Sequence, residues 1–233
     1  MLTPFSHFTM GIKKNTIAVI IALGLCAGAC SGSGNPGNTI FQVSTIDALL
    51  SGLFDGSVPL QELKKQGNFG IGTFHALDGE MVMLNGSLYQ IKADGKVYTP
   101  ETSTTTPFAT VCNFRADGKG LILPDTTFIT FATMFDKAYP NKNLFYAIII
   151  KGTFTTMKTR SVPRQVKPYP ALIEVTKHQP EFVMNNVSGT IVGFRCPDYV
   201  KGINVPGYHL HFISDDRSSG GHVLSFELKE GTY

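Results

Sequence analysis

From Phe69 onward the apolar positions alternate in short runs broken by glycine-bearing turns, which is the two-residue period of half-buried strands. Phe69-Gly-Ile-Gly-Thr-Phe, Met81-Val-Met-Leu and Ser87-Leu-Tyr-Gln-Ile are predicted strands, reversed at Asp78-Gly79, Asn85-Gly86 and Asp94-Gly95. Asn-Gly between apolar runs is the strongest short hairpin signal, because both residues accept the positive φ of a tight reversal. Phe108 to Phe114 is a further strand, as is the shorter run Thr39 to Val43. Leu144 to Met157 is a long β run whose centre, Ala147-Ile-Ile-Ile, is expected to be buried on both faces. Leu172 to Thr176 and Gly189 to Arg195 are expected strands ahead of a last hairpin. Helical spacing is confined to short pieces. Ser44-Thr-Ile-Asp-Ala-Leu-Leu carries an N-cap hydroxyl and closes at Gly52, Pro59 to Gly67 ends on glycine, and Thr126 to Ala138 stops before Pro140.

These elements predict an α+β, β-rich fold: two packed mixed β-sheet, barrel-like subdomains with a few short helices. The proline-stiffened stretch Ser161-Val-Pro-Arg-Gln-Val-Lys-Pro-Tyr-Pro170 is the expected boundary, giving an N-terminal subdomain at 39–160 and a C-terminal one at 161–233. Two hundred and thirty-three residues, 42% hydrophobic and 16% charged, are ample for a buried core.

The first thirty-eight residues have a different character. Lys13-Lys14, the apolar run Ile17 to Leu25 and the small residues Cys26-Ala-Gly-Ala-Cys30 have the proportions of a secretory signal peptide over residues 1–29. The run is too short to span a bilayer. Met10 is an alternative start. Ordinary signal peptidase and lipoprotein processing both cut after Ala29, and the latter acylates Cys30. The flexible Ser31-Gly-Ser-Gly-Asn-Pro-Gly stretch, within a tether at 30–38, favours the lipoprotein. The chain is therefore expected to be exported, touching a membrane only through a lipid anchor. The formal net charge of +3 includes two leader lysines, leaving about +1 afterwards, with no basic stripe for nucleic acid. Cys112 and Cys196 remain, either as a disulfide or as free buried thiols. With no Cys-x-x-Cys, a metal site must be built from histidines and carboxylates.

The candidate chemistry gathers near the end of the chain, in Gly207-Tyr-His-Leu-His-Phe-Ile-Ser-Asp-Asp-Arg-Ser-Ser-Gly-Gly-His-Val223. His209 and His211 stand two apart in a strand, so both imidazoles leave one face from Cα atoms about 6.6 Å apart, within reach of one metal ion. Tyr208, Leu210 and Phe212 take the core side. Asp215 to Gly221 is turn chemistry that brings His222 back alongside. Three neutral imidazoles leave a metal position open, as in a catalytic zinc site. Glu80, after the Leu-Asp-Gly turn, is a candidate ligand or general acid/base. Arg160, Arg164 and Lys167 give the proline-stiffened stretch and its head a charge suited to an anion, with the fork of Arg160 able to clamp a carboxylate. His75 and His178 lack ligand spacing and are expected to be ordinary surface or turn residues.

Several stretches together resemble the α-acetolactate decarboxylases, from about Ile40 to Leu224. They are Thr45-Ile-Asp-Ala-Leu-Leu, Gly72-Thr-Phe-His-Ala-Leu-Asp-Gly-Glu80, Lys142-Asn-Leu-Phe-Tyr-Ala, Thr159-Arg-Ser-Val-Pro-Arg-Gln, Lys167-Pro-Tyr-Pro and the histidine hairpin. The resemblance implies a homodimeric zinc enzyme that converts 2-acetolactate to acetoin and CO2. It implies His209, His211 and His222 as zinc ligands, Glu80 as a catalytic glutamate, Arg160 as the substrate-binding arginine and Thr73 as a pocket residue. It also implies a tail carrying a second glutamate. This chain ends at Tyr233, eleven residues beyond His222, and Glu227 and Glu230 do not fall in that tail motif. The alternatives are a catalytically impaired zinc-binding relative and an exported zinc hydrolase using Glu80 as base.

Overall fold

The computed structural model describes residues 39–233. The leader, Cys30 and the tether up to residue 38 lie outside the described residues. In chain order the strands are β1 (Ile40–Val43), β2 (Val58–Pro59), β3 (Phe69–Thr73), β4 (Glu80–Leu84), β5 (Ser87–Ile91), β6 (Val97–Tyr98) and β7 (Thr105–Thr106). They continue as β8 (Ala109–Cys112), β9 (Leu121–Ile122), β10 (Thr126–Thr127), β11 (Tyr146–Arg160), β12 (Glu181–Cys196), β13 (Gly207–Ser214) and β14 (Gly220–Thr232). Four short helices intervene: α1 (Ile46–Leu50), α2 (Leu60–Leu63), α3 (Phe128–Ala138) and α4 (Leu172–Thr176).

The first sheet is antiparallel, in the order β1-β8-β3-β4-β5-β6. It contains the β4–β5 hairpin, where Asn85 and Gly86 both take positive φ, at 52° and 76°, as the Asn-Gly signal requires. The second sheet runs β10-β14-β11-β12-β13, and β14 also pairs with β13, so it closes on itself as a barrel. Ile148, Ile150, Phe154, Ile191, Leu210 and Phe212 fill this barrel, and α3 adds Phe131 and Phe135. The alternate residues of β12 and β13, Val192, Phe194, Cys196 and Ile213, pack instead on Phe69, Ile71, Val82 and Ile91 of the first sheet. The two-residue period thus supplies both cores: even positions 210 and 212 enter the barrel, while odd positions 209, 211 and 213 face the other sheet.

Several expectations shift in detail. Leu172 to Thr176, expected as a strand, is the helix α4. Ala171 enters it extended behind Pro170, and Leu172 and Val175, three apart, both turn onto the cluster of Leu49 and Phe54. Packing on that cluster outweighs the β preference of Ile173 and Val175. The N-cap of α1 is Thr45, its hydroxyl accepting from Ala48 N–H. Helix α3 starts at Phe128 because Thr126-Thr127 first pairs with β14. Ile148 and Ile150 are buried, but Ala147 and Ile149 only half-buried, so one face of β11 is the deeper.

The proline-stiffened stretch does not part the sheets. Strands β11 and β12 on either side of it pair from Tyr146–Arg195 to Arg160–Glu181, and the change of sheet falls between Cys112 and Leu121. The stretch packs along the first half of the chain: Val162 is buried beside Leu77 and Phe108, and Gln165 N–H donates to Ala76 O at 2.7 Å. Cys112 and Cys196 are free and buried in the core between the sheets, where burial pushes both thiols up to about 12.

Candidate metal centre and active site

The histidine hairpin forms as its residues dictate. Strand β13 brings His209 and His211 out on the face toward the first sheet, opposite Phe194 and Val192 of β12. The turn at 215–219 is tied by Ser214, whose hydroxyl donates to Asp216 at 2.6 Å, and by Ser218, whose hydroxyl donates to the same carboxylate at 2.8 Å. Strand β14 then returns with His222 directly opposite His211. At that residue β14 also meets β11, so His222 lies opposite Arg160 as well.

This close approach depends on glycine. Gly221 has φ +134°, and a Cβ there would stand 2.5 Å from the carbonyl oxygen of Arg160. Gly221→Ala is therefore expected to destabilise the fold by more than about 1 kcal/mol, read from the urea midpoint.

The ring centroids of the three histidines lie 5.1, 5.1 and 5.4 Å apart, and one nitrogen from each falls within 4.8 Å of the others. His211 is wholly buried, while His209 and His222 each keep an edge toward solvent. His211 Nδ1 lies 2.8 Å from Met81 O, a contact only an N–H can make with a carbonyl, so Nε2 carries the lone pair. That Nε2 is buried with no hydrogen-bond partner. A buried orphan acceptor costs stability unless something occupies it. Three converging neutral imidazoles with one orphaned lone pair are the donor set a divalent metal takes, and the residues fit such an ion. Burial is the larger cause, and the Arg160 guanidinium the lesser, that lowers His209 to about 4. His211 and His222 are held well below the ordinary imidazole range, by burial first and then by neighbouring imidazoles and Arg160. The cluster is therefore neutral, as ligands must be.

Glu80 opens β4 from a turn in which Ala76, Leu77 and Gly79 all have positive φ. Its carboxylate reaches to 3.5 Å from His211 Nε2. The turn does not push it to the surface, as an acidic residue after Asp-Gly would suggest. Glu80 is buried, and burial, only partly opposed by Arg160, pushes it up to about 8. Arg160 ends β11, and its guanidinium forms no hydrogen bond or ion pair with another described residue, which leaves the fork available to a ligand. Thr73 lies opposite Glu80 in the β3–β4 register, but its hydroxyl donates to Gly79 O at 2.7 Å. That bond ties β3 to the turn just ahead of Glu80.

The other cations of the proline-stiffened stretch are spent elsewhere. Lys167 pairs with Asp55 on the surface, and Arg164 with the half-buried Asp78 at 3.8 Å. Of the three, Arg160 is the one placed beside the histidines, opposite His222. His75 accepts from Gly56 N–H at 3.1 Å and stands apart from the cluster. Sequence reasoning missed the Met81 carbonyl that orients His211, and no local signal marks it, because main-chain acceptors look alike at every residue. It also passed over Thr159 and Ser161, whose hydroxyls are buried on either side of Arg160.

Comparison with known proteins bears on what this arrangement does. The family model described as alpha-acetolactate decarboxylase matches residues 40–233. The chain is similar to the alpha-acetolactate decarboxylase of Methanosarcina mazei, 51% identical over 199 residues that span 85% of this chain and 69% of the relative. It is also similar to that of Bacillus licheniformis, 44% identical over 83% of this chain and 76% of the relative. The crystal structure of alpha-acetolactate decarboxylase from Bacillus subtilis superposes with a TM-score of 0.81, at 44% identity over 83% of this chain and 82% of that one. With the family model spanning every strand of both sheets and these relatives matching most of the chain, the chain belongs to the alpha-acetolactate decarboxylase family, a family of lyases.

Proposed function

We propose that the site between the sheets decarboxylates 2-acetolactate to acetoin and CO2, with zinc held by His209, His211 and His222. The observation that carries this reading is the convergence of three imidazole nitrogens within 4.8 Å of one another, beside a buried carboxyl and an arginine with no partner among the described residues. A divalent ion bound there supplies Lewis-acid stabilisation of the negative charge that develops on the substrate's ketone oxygen. The chain's own residues do the rest. Arg160 holds the substrate carboxylate in its planar fork and sets the bond to be broken. When that carbon–carbon bond breaks, CO2 leaves and the electron pair passes into the adjacent carbonyl as an enediolate. Glu80 delivers a proton to the former carboxyl-bearing carbon, which completes acetoin. Phe194 and Ile213 flank the histidines on the sheet-facing side and limit water there.

The homodimer and the lipid anchor at Cys30 are parts of this proposal, supported by the family resemblance and by the leader sequence respectively. The test is incubation of the purified chain with 2-acetolactate, following acetoin and CO2 before and after chelation and after zinc is restored. Turnover that is indifferent to chelation would overturn the metal role. Glu80→Gln is expected to lower kcat by a factor of about 10²–10⁴ and to erode the enantiomeric excess of acetoin, read by chiral chromatography. Full turnover with unchanged stereochemistry would remove Glu80 from the proton step.

A further inference from the structure

Arg160 is flanked by two hydroxyls that the reaction does not use. Thr159 and Ser161 are both wholly buried. The Thr159 hydroxyl donates at 2.9 Å to Gly220 O, two residues ahead of His222 on β14. The Ser161 hydroxyl donates at 2.7 Å to Ile91 O on β5, and Ile91 is the residue that pairs with Glu80 on β4. The two bonds leave positions on either side of Arg160, one in β11 and one just past its end, and they end in different sheets. They span 61 and 70 residues of sequence, so neither is a local turn bond.

The ladder to β12 holds this strand end regularly, with Arg160 opposite Glu181, but the side that faces His222 is irregular. The ladder between β11 and β14 slips in register between Lys158 and Thr159, immediately before Arg160 meets His222. A slipped register weakens the constraint that regular pairing places on the strand end. Gly220 and Gly221 follow on the other side of the contact, without side chains to pack. Ser161 lies just past the end of β11, where its N–H donates to Pro180 O at 3.2 Å.

We infer that Thr159 and Ser161 are positioning residues, a pair of hydroxyl clamps that set Arg160 against the imidazole cluster on one side and against Glu80 on the other. Thr159 acts on the strand that carries His222, and so on the geometry of the metal-binding cluster. Ser161 acts on the separation of Arg160 from Glu80, and so on the alignment of the carboxylate clamp with the proton donor. The inference rests on the functional reading above, and its two arms are read by different measurements.

The experiment uses the full chain with Thr159→Val, Thr159→Ser and Ser161→Ala. Cobalt(II) and zinc titration of the metal-free protein reads the first arm without any turnover. Thr159→Val keeps the shape and removes the donor, and is expected to weaken metal affinity by about 10–100-fold and to alter the cobalt absorption bands. Thr159→Ser restores the donor and is expected to bind metal as the parent does. Ser161→Ala removes one atom and is expected to leave metal affinity unchanged. It lowers kcat about tenfold with KM within about twofold, because alignment is lost rather than binding. Parental metal affinity in Thr159→Val, a Thr159→Ser variant as impaired as the valine, or parental kcat in Ser161→Ala would each overturn the clamp. If Thr159→Val fails to fold, Thr159→Ser and Ser161→Ala still decide it. A parent protein that binds metal but does not turn over 2-acetolactate would instead sink the functional reading, leaving the titration arm standing.

Discussion

Replacing His211 with alanine is expected to abolish stoichiometric zinc binding and to lower kcat/KM for 2-acetolactate by at least about 10³. His211 is the one wholly buried member of the cluster, and the ring centroids of both other histidines lie within 5.4 Å of its own. Its Nδ1 hydrogen is committed to Met81 O, so the ring can neither flip nor change tautomer without losing that bond. The lone pair on Nε2 is thereby aimed between the sheets before any ion arrives. Without it two partly exposed imidazoles remain, and two ligands do not hold zinc in a catalytic geometry. The fold itself should suffer less, since the metal-free site already buries an unpaired nitrogen at that atom. Metal content by plasma emission spectrometry and acetoin formation are the two measurements. A variant that keeps one zinc per chain would remove His211 from the ligand set.

Arg195→Met is expected to cost on the order of 3 kcal/mol of stability and to lower Tm by roughly 6–12 °C. Arg195 is 5% exposed, on β12 opposite Tyr208. Its guanidinium donates to Asp136 at 2.9 Å, to Tyr139 O at 3.0 Å and to Asn141 O at 2.8 Å. It thus satisfies the end of α3 and the carbonyls just beyond, where a helix leaves acceptors unpaired. The same group stacks 4.5 Å over the Tyr146 ring, and Tyr208 donates to Asp136 at 2.6 Å. Removing the charge leaves Asp136 with Tyr208 alone and takes the side-chain donor from the Tyr139 and Asn141 carbonyls. Arg195→Lys is not expected to rescue the loss, because one ammonium cannot reach three acceptors spread around a planar fork. Neighbouring residues of a strand face opposite ways, so this network lies behind the histidines. The folded fraction should therefore keep near-parental kcat while urea unfolding shifts. A Tm within about 2 °C of the parent would mean that the aromatic packing of α3, not the arginine, holds the helix.

Features governed by two or three neighbouring residues were legible. Asn85-Gly86 turns because both residues tolerate positive φ, and His209 and His211 share a face because strands have period two. The return of His222 followed from turn chemistry over a few residues. Errors arose where distant packing outweighs local preference. Leu172 to Thr176 has β-branched residues but coils onto Leu49 and Phe54. Arg164 and Lys167 look like an anion-binding run, yet each finds a carboxylate elsewhere in the chain.

By itself the sequence determined the histidine face, the hairpins, the β-rich class and, through its resemblance, the family. Only the tertiary structure decided which lone pair of His211 is free, that Glu80 and Arg160 reach the same site, and that the second sheet closes through β14. The reason is physical. Period and turn type depend on steric preferences of adjacent residues, whereas a hydrogen bond from His211 to Met81 spans 130 positions and depends on how two sheets settle against a shared core. The hairpin is written in the chain, but its chemistry is set by what packs over it.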